Sequence, residues 1–227
     1  MYVPFVDFHS HDAQPALPDV VRVVSLNPLD APIHHEGLST VGLHPWSTAL
    51  PNAEAALAAL PAACAQQGVV GVGEVGLDRL RGAPLPQQRS MLARQLQLAA
   101  ALQLPVVLHC VRTWPELLAE LRPFATLRWA VHGFRGSPAV ARSLLLAGGC
   151  ISIGPALLSD ARLAGLVPEL PLERLFLETD GHRDVPIQVL YRRVAGLRGM
   201  GVDALKCAMV HNFNSFFGQC VLSDRYN

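Results

Sequence analysis

The chain has 227 residues, 51% of them hydrophobic, with 18 basic and 18 acidic side chains and a formal net charge of zero. That length and apolar content suit one large domain with a sizeable core. The charge balance excludes a global basic field, so any contact with nucleic acid has to be local.

The predicted elements run in order along the chain. "FVDFH" (5–9) is a first strand, and Asp7, His9 and His11 alternate along it, so a strand puts them on one face. "VVRVVSL" (20–26) is the second strand. The connection after it, "NPLDAPIHHEG", is short and Pro-rich, too poor for a helix, with His34 and His35 read as exposed. "STVGL" (39–43) is followed by the helical stretch "NAEAALAALPAACAQQ", and "VVGVG" (69–73) by "LPQQRSMLARQLQLAAAL". "PVVLH" (105–109) precedes the helix "TWPELLAELRPF", and "RWAVH" (128–132) precedes "SPAVARSLLLAG". In the latter, Ser137 is placed to cap, Pro138 to take the first helical position and Gly148 to end the helix. "CISIG" (150–154), a shorter segment "LLSDARLAGLV" and "RLFLE" (174–178) complete eight strands. "PIQVLYRRVAGLRG" and "VDALKCAMVHNFNSFFG" close the chain as helices, with His211 structural and Lys206 the only lysine.

Near-continuous apolar strands are buried on both faces, as in parallel sheets. Eight of them alternating with helices predict an α/β fold, a (β/α)₈ TIM barrel over one domain, 1–227, with a degenerate second unit; a doubly wound sheet is the alternative. The five cysteines, Cys64, Cys110, Cys150, Cys207 and Cys220, are dispersed without a CxxC pair, the pattern of reduced thiols. The N-terminus lacks a signal-peptide pattern and no apolar run reaches spanning length, so a cytoplasmic protein without membrane contact is expected.

Metal-type side chains recur at the predicted strand ends. His9 and His11 end strand one, His44 follows strand three, Glu74 strand four, His109 ends strand five, His132 strand six, and Asp180 follows strand eight. In a barrel these carboxyl ends share one mouth. Any one of them alone reads as well as a satisfied core or rim residue. His44 aside, six of them on five strands point to a metal centre. Four histidines and two carboxylates exceed the ligands of a single zinc ion and suit two divalent ions sharing a carboxylate, which is hydrolytic chemistry. Mixed imidazole and carboxylate donors suit Zn²⁺ or Mn²⁺, and Mg²⁺ less well.

The segments "DFHSH", "VGLHPW", "GVGEVGLD", "LPVVLHC", "VHGFRGS", "LFLETD" and "NFNSFFG" together resemble the TatD family of metal-dependent hydrolases and deoxyribonucleases, in family order and over nearly the whole chain. The resemblance implies a (β/α)₈ barrel. It implies that His9, His11 and Asp180 ligate one metal, that His109 and His132 ligate a second, and that Glu74 bridges them. It also implies that Asp180 orients or deprotonates the attacking water and that His44 faces the substrate phosphate. Asp7 is expected to play a supporting role.

The chain departs from the family pattern in three places. It reads "HCVR" after strand five, which moves Arg112 along by one, and "HGFRG" after strand six, which adds Arg135. The family's long arm after "ETD" is missing, and "GHRDVPIQVLYRR" runs directly into a helix.

A phosphodiesterase acting on short or single-stranded DNA ends would use Arg112, Arg135 and Arg183 on phosphates, whereas Arg79 reads as a surface residue. Trp46 has two open readings, base stacking and rim packing. His182 either acts on the leaving group or covers the site. A hydrolase of a small phosphoester or of aminoacyl-tRNA on the same scaffold is the alternative. A lysine-bridged amidohydrolase is disfavoured because Lys206 lies in the last helix, and a non-catalytic barrel because all six ligand types are present. Oligomeric state cannot be read from the sequence.

Overall fold

A computed structural model describes residues 3–13, 17–30 and 37–218; His34, His35 and Cys220 lie outside them. The eight strands are β1 (Phe5–Ser10), β2 (Val20–Leu26), β3 (Leu38–Val41), β4 (Val69–Asp78), β5 (Val106–Val111), β6 (Trp129–Val131), β7 (Cys150–Ile153) and β8 (Leu175–Leu177). The α-helices are α1 (Ala53–Cys64), α2 (Leu85–Leu102), α3 (Trp114–Leu121), α4 (Pro138–Leu146), α5 (Ala161–Leu166), α6 (Ile187–Arg198) and α7 (Val202–Phe217).

The strand pairings are parallel between chain neighbours. A helix follows each strand from β3 onward, and the fold class is the expected (β/α)₈ type. Among the described residues no helix follows β1 or β2. The chain divides into two compact units, one of residues 1–24 with 132–227 and one of residues 25–131.

In the unit of residues 25–131, β4 runs well past the expected end at Gly73, so Glu74 lies within the strand rather than after it. The cause is continued pairing: Val75, Gly76, Leu77 and Asp78 register with Leu108, His109, Cys110 and Val111 of β5. This close approach requires Gly76, whose φ is 148°. A Cβ there would sit 2.0 Å from the His109 carbonyl oxygen.

Helix α2 lies against β4 and presents two buried glutamines seven residues apart, hence on one face. Gln95 accepts from the Leu43 N–H (2.8 Å) and donates to the Leu43 carbonyl. Gln88 accepts from the Asp78 N–H (2.8 Å) and donates to the carbonyls of Asp78, Arg81 and Ala83. These side chains meet backbone groups that the strand ends leave without ladder partners. They thereby fix the segments that carry His44 and Asp78.

In the other unit, Phe8 of β1 is fully buried, stacked on Phe176 of β8 at 4.1 Å and edge-on to Phe216 of α7. Helix α7 buries Leu205, Met209, Phe213 and Phe216, an apolar face at helical spacing. Asn212 on the same helix donates to the Leu172 and Leu175 carbonyls beside β8. The Tyr191 hydroxyl of α6 accepts from the Val6 N–H and donates to the Val6 carbonyl of β1. Helix α4 starts as its sequence predicts: the Ser137 hydroxyl accepts from the Val140 N–H and Pro138 opens the helix.

Candidate active site

Each unit carries its own cluster of metal-type side chains. In residues 25–131 the cluster is His44, Glu74 and His109, with donor atoms within 4.8 Å of one another. Glu74, buried on β4, has its N–H held by the Ser25 hydroxyl at 2.9 Å. Its Oε1 lies 2.9 Å from His44 Nε2 and 2.7 Å from His109 Nδ1.

His44 Nδ1 accepts from the Trp46 N–H at 3.1 Å. A neutral His44 ring therefore carries its hydrogen on Nε2 and donates it to Glu74. His44, expected to face substrate, is placed on the Glu74 carboxylate.

The second nitrogen of His109 lies 3.1 Å from Oδ2 of Asp78, a buried acid at the end of β4. Asp78 also accepts from the Trp46 indole N–H (2.5 Å) and the Leu80 N–H (2.7 Å). Burial alone would raise this carboxyl. The bonds from Trp46, Leu80 and His109 outweigh burial and hold it below the usual carboxylate range. Trp46 is thus bound through its indole N–H, and the Arg81 guanidinium covers its ring at 4.4 Å.

In the other unit His9, His11 and Asp180 converge, again within 4.8 Å of one another. His9 comes from β1 and is fully buried, while the His11 side chain is half exposed. Asp180 follows β8 in a left-handed conformation (φ 51°) and donates its N–H to the His9 carbonyl at 3.1 Å. Its Oδ1 lies 3.8 Å from His9 Nε2 and 3.7 Å from His11 Nε2. Those separations are too long for hydrogen bonds. Two ligands bound tetrahedrally to one Zn²⁺ at about 2.0–2.1 Å sit about 3.4 Å apart, so the three donors fit a shared cation.

His132 follows β6, its ring 4.2 Å from that of His9. Its Nδ1 lies 3.4 Å from Oε1 of Glu178, a fully buried acid that also accepts from the Gly133 N–H at 2.5 Å. Burial pushes the Glu178 carboxyl up, but the neighbouring His132 and His9 bring it below its ordinary value.

Asp7 supports this cluster from below. It accepts from the Thr179 N–H (2.8 Å), the Thr179 hydroxyl (2.7 Å) and Arg22 Nε (3.1 Å). Burial raises its carboxyl to about 6 against the pull of these partners. Asp7 thereby fixes the residue immediately before Asp180.

The other expected phosphate-binding residues are exposed. Arg135 and His182 lie at the surface. Arg112 turns with φ 55°, and its carbonyl accepts from Arg79 Nε at 3.0 Å. Arg79 pairs with Glu116, in keeping with a surface role. Arg183 pairs with Asp12 at 2.9 Å. Beside Asp180, a cavity of about 350 Å³ is lined by Asp12, Arg22, Thr179, His182, Arg183 and Gln188, among others.

Sequence reasoning passed over Asp78 and Glu178. The signal was there: Asp78 lies two strand pleats beyond Glu74, and Glu178 lies two residues before Asp180.

The family described as TatD related DNase matches residues 29–218. The chain is similar to the 3′-5′ ssDNA/RNA exonuclease TatD of Klebsiella pneumoniae, 39% identical over 213 residues, covering 82% of this chain and 79% of that protein. It is similar to the protein of the same name from Erwinia amylovora, 35% identical over 202 residues, covering 79% and 78%. The match to the one from Cronobacter turicensis is 40% identical over 148 residues and spans only 56% of that relative's length. Among solved structures, a TatD homolog from Escherichia coli K12 superposes with a TM-score of 0.81 at 26% identity, covering 96% of this chain and 99% of that one. A TatD family hydrolase from Entamoeba histolytica shares the fold, with a TM-score of 0.80 at 16% identity and coverage of 96% and 99%. No helix among the described residues is long and apolar enough to cross a membrane.

Proposed function

The chain belongs to the TatD-related DNase family, and on that premise we propose that it is a divalent-metal-dependent hydrolase cleaving phosphodiester bonds at the ends of short or single-stranded DNA. The relatives named above are called 3′-5′ exonucleases of single-stranded DNA and RNA, which supports the same direction and adds RNA as a substrate to test. The reading takes residues 1–227 as a single catalytic domain, in the cytoplasm.

The carrying observation is the His9, His11 and Asp180 set, whose donors stand too far apart for hydrogen bonds and at the right spacing for one cation. We take two ions per chain, Zn²⁺, Mn²⁺ or Mg²⁺, held by His9, His11, Asp180 and His132 together with Glu74 and His109. Divalent ions held there would polarise a phosphoryl oxygen and lower the pKa of a water. Asp180 accepts the proton of the attacking water, and Glu74, oriented by the His44 N–H, supplies ligand charge. Arg112, Arg135 and His182 bind substrate phosphate. The neutral net charge favours short ends over long duplexes.

The test incubates the protein with 3′-labelled single-stranded DNA, single-stranded RNA, an aryl phosphodiester and an aminoacyl-tRNA, with Mg²⁺, Mn²⁺ or Zn²⁺ in turn. Chelator-sensitive release of the labelled 3′ nucleotide is expected. No strand cleavage with any metal, alongside turnover of the ester or the charged tRNA, rejects the nuclease reading.

A further inference from the structure

The Trp46–Asp78 pair has no place in the hydrolysis just described, yet it is aimed at one of its ligands. Asp78 is an acceptor at both oxygens: Oδ1 takes the Leu80 N–H, and Oδ2 takes the Trp46 indole N–H and faces His109 Nε2 at 3.1 Å. An ionised carboxylate has no hydrogen to offer, so the nitrogen facing it must carry one. The other edge of the ring, Nδ1, faces Glu74 Oε1 at 2.7 Å. That oxygen already receives the His44 Nε2 hydrogen. In an Nε2–H ring Nδ1 and Oε1 face each other with lone pairs, an edge that a cation would close.

Trp46 acts on both rings. Its backbone N–H sets His44 and its indole N–H holds the acid that sets His109. Gln88 clamps the Asp78 backbone on both sides, and the Trp46 indole and the Leu80 N–H hold its carboxylate.

We propose that Asp78, held by Trp46 and Gln88, is a positioning residue that fixes His109 as its Nε2–H tautomer and so presents the Nδ1 lone pair, together with Glu74, to a divalent ion. A ligand histidine whose second nitrogen donates to a carboxylate is both oriented and made more basic. The metal half of this inference rests on the function proposed above; the tautomer half does not.

The experiment is ¹⁵N NMR of the histidine rings in metal-free protein at a pH where imidazole is neutral, paired with calorimetric titration of Mn²⁺ and of Zn²⁺, on the wild type, Asp78→Ala and Asp78→Asn. The expected wild-type His109 signature is a hydrogen-bearing Nε2 and a bare Nδ1. Asp78→Ala removes the acceptor, so the hydrogen moves to Nδ1 against Glu74, and ion affinity falls by about 10–100-fold. Asp78→Asn keeps one acceptor oxygen and should fall between the two.

A wild-type His109 with its hydrogen on Nδ1 overturns the proposal. So does an Asp78→Ala variant with unchanged ring signals and wild-type affinity. If Asp78→Ala does not fold, the wild-type spectrum and Asp78→Asn decide the question in its place. A wild type with the expected tautomer that binds no divalent ion would sink the proposed function and leave the tautomer assignment standing.

Discussion

Glu74→Gln is the sharpest perturbation of the site, because it keeps volume and removes only charge and one acceptor. In the wild type a single oxygen, Oε1, meets both His44 Nε2 and His109 Nδ1. The glutamine oxygen can accept from His44 or yield that place to its amide nitrogen, which meets His109 but opposes the His44 N–H. The second arrangement leaves the His44 N–H unmet, at about 1–3 kcal/mol. For a chain of this size each kcal/mol lowers Tm by about 2–4 °C. The larger effect concerns metal. An ion present at about 100 times its Kd stabilises the wild type by about 2.7 kcal/mol. A thermal scan should therefore show a rise of about 5–10 °C on adding Mn²⁺ or Zn²⁺ to wild type, and most of that rise should vanish in the variant. Strand cleavage should fall by at least about 10²-fold, since ion charge supplies several kcal/mol to the transition state and each 1.36 kcal/mol is a factor of ten. A variant that cleaves at the wild-type rate in excess chelator, or that keeps the full metal-induced shift, refutes the reasoning.

Asp7→Ala should lower stability by about 3–5 kcal/mol in urea unfolding, because it strands the Thr179 N–H and hydroxyl and leaves Arg22 without its buried carboxylate. Gly76→Ala should lose both stability and ion affinity, since its Cβ has to displace the His109 carbonyl; an alanine variant with wild-type Tm and affinity would show that β4 and β5 part there at no cost. Arg135→Ala should raise KM for labelled single-stranded DNA several-fold with kcat unchanged. Arg79→Ala serves as the contrast: its exposed pair with Glu116 contributes about 0–1 kcal/mol, and its kinetics should match wild type.

The strand count and the residues that converge were legible because parallel strands are continuous apolar runs and because metal-type side chains at their ends are conspicuous against them. The length of β4 was not. Two glycines bracket Glu74, and glycine weakens a strand pattern locally; only the pairing of Val75 to Asp78 with β5 shows that the strand continues. Asp78 and Glu178 were missed for a related reason. A sequence marks which side chains are acidic, but whether an acid meets solvent, an ion or another side chain depends on which neighbouring strand it faces. The fate of Trp46 was equally hidden, since stacking and rim packing use the ring, whereas the structure engages the indole N–H.

Three buried acids do the same physical work in different places. Asp78 on β4 meets His109 on the adjacent β5, Glu178 after β8 meets His132 after β6, and Asp7 on β1 meets Thr179 beside Asp180. In each case a buried carboxylate faces a proposed ligand or the residue next to one. Burying a carboxylate is costly unless it is hydrogen-bonded, and each of these three accepts at least one backbone N–H. Rigidity of that kind has a direct chemical use. A donor whose ring angle and tautomer are already set loses little entropy when an ion arrives and has no competing conformer in which it turns away. Among the described residues no helix follows β1 or β2, yet the proposed ligands His9, His109 and His132 keep their strands, so the proposed site rests on the strand ends and the buried carboxylates beside them.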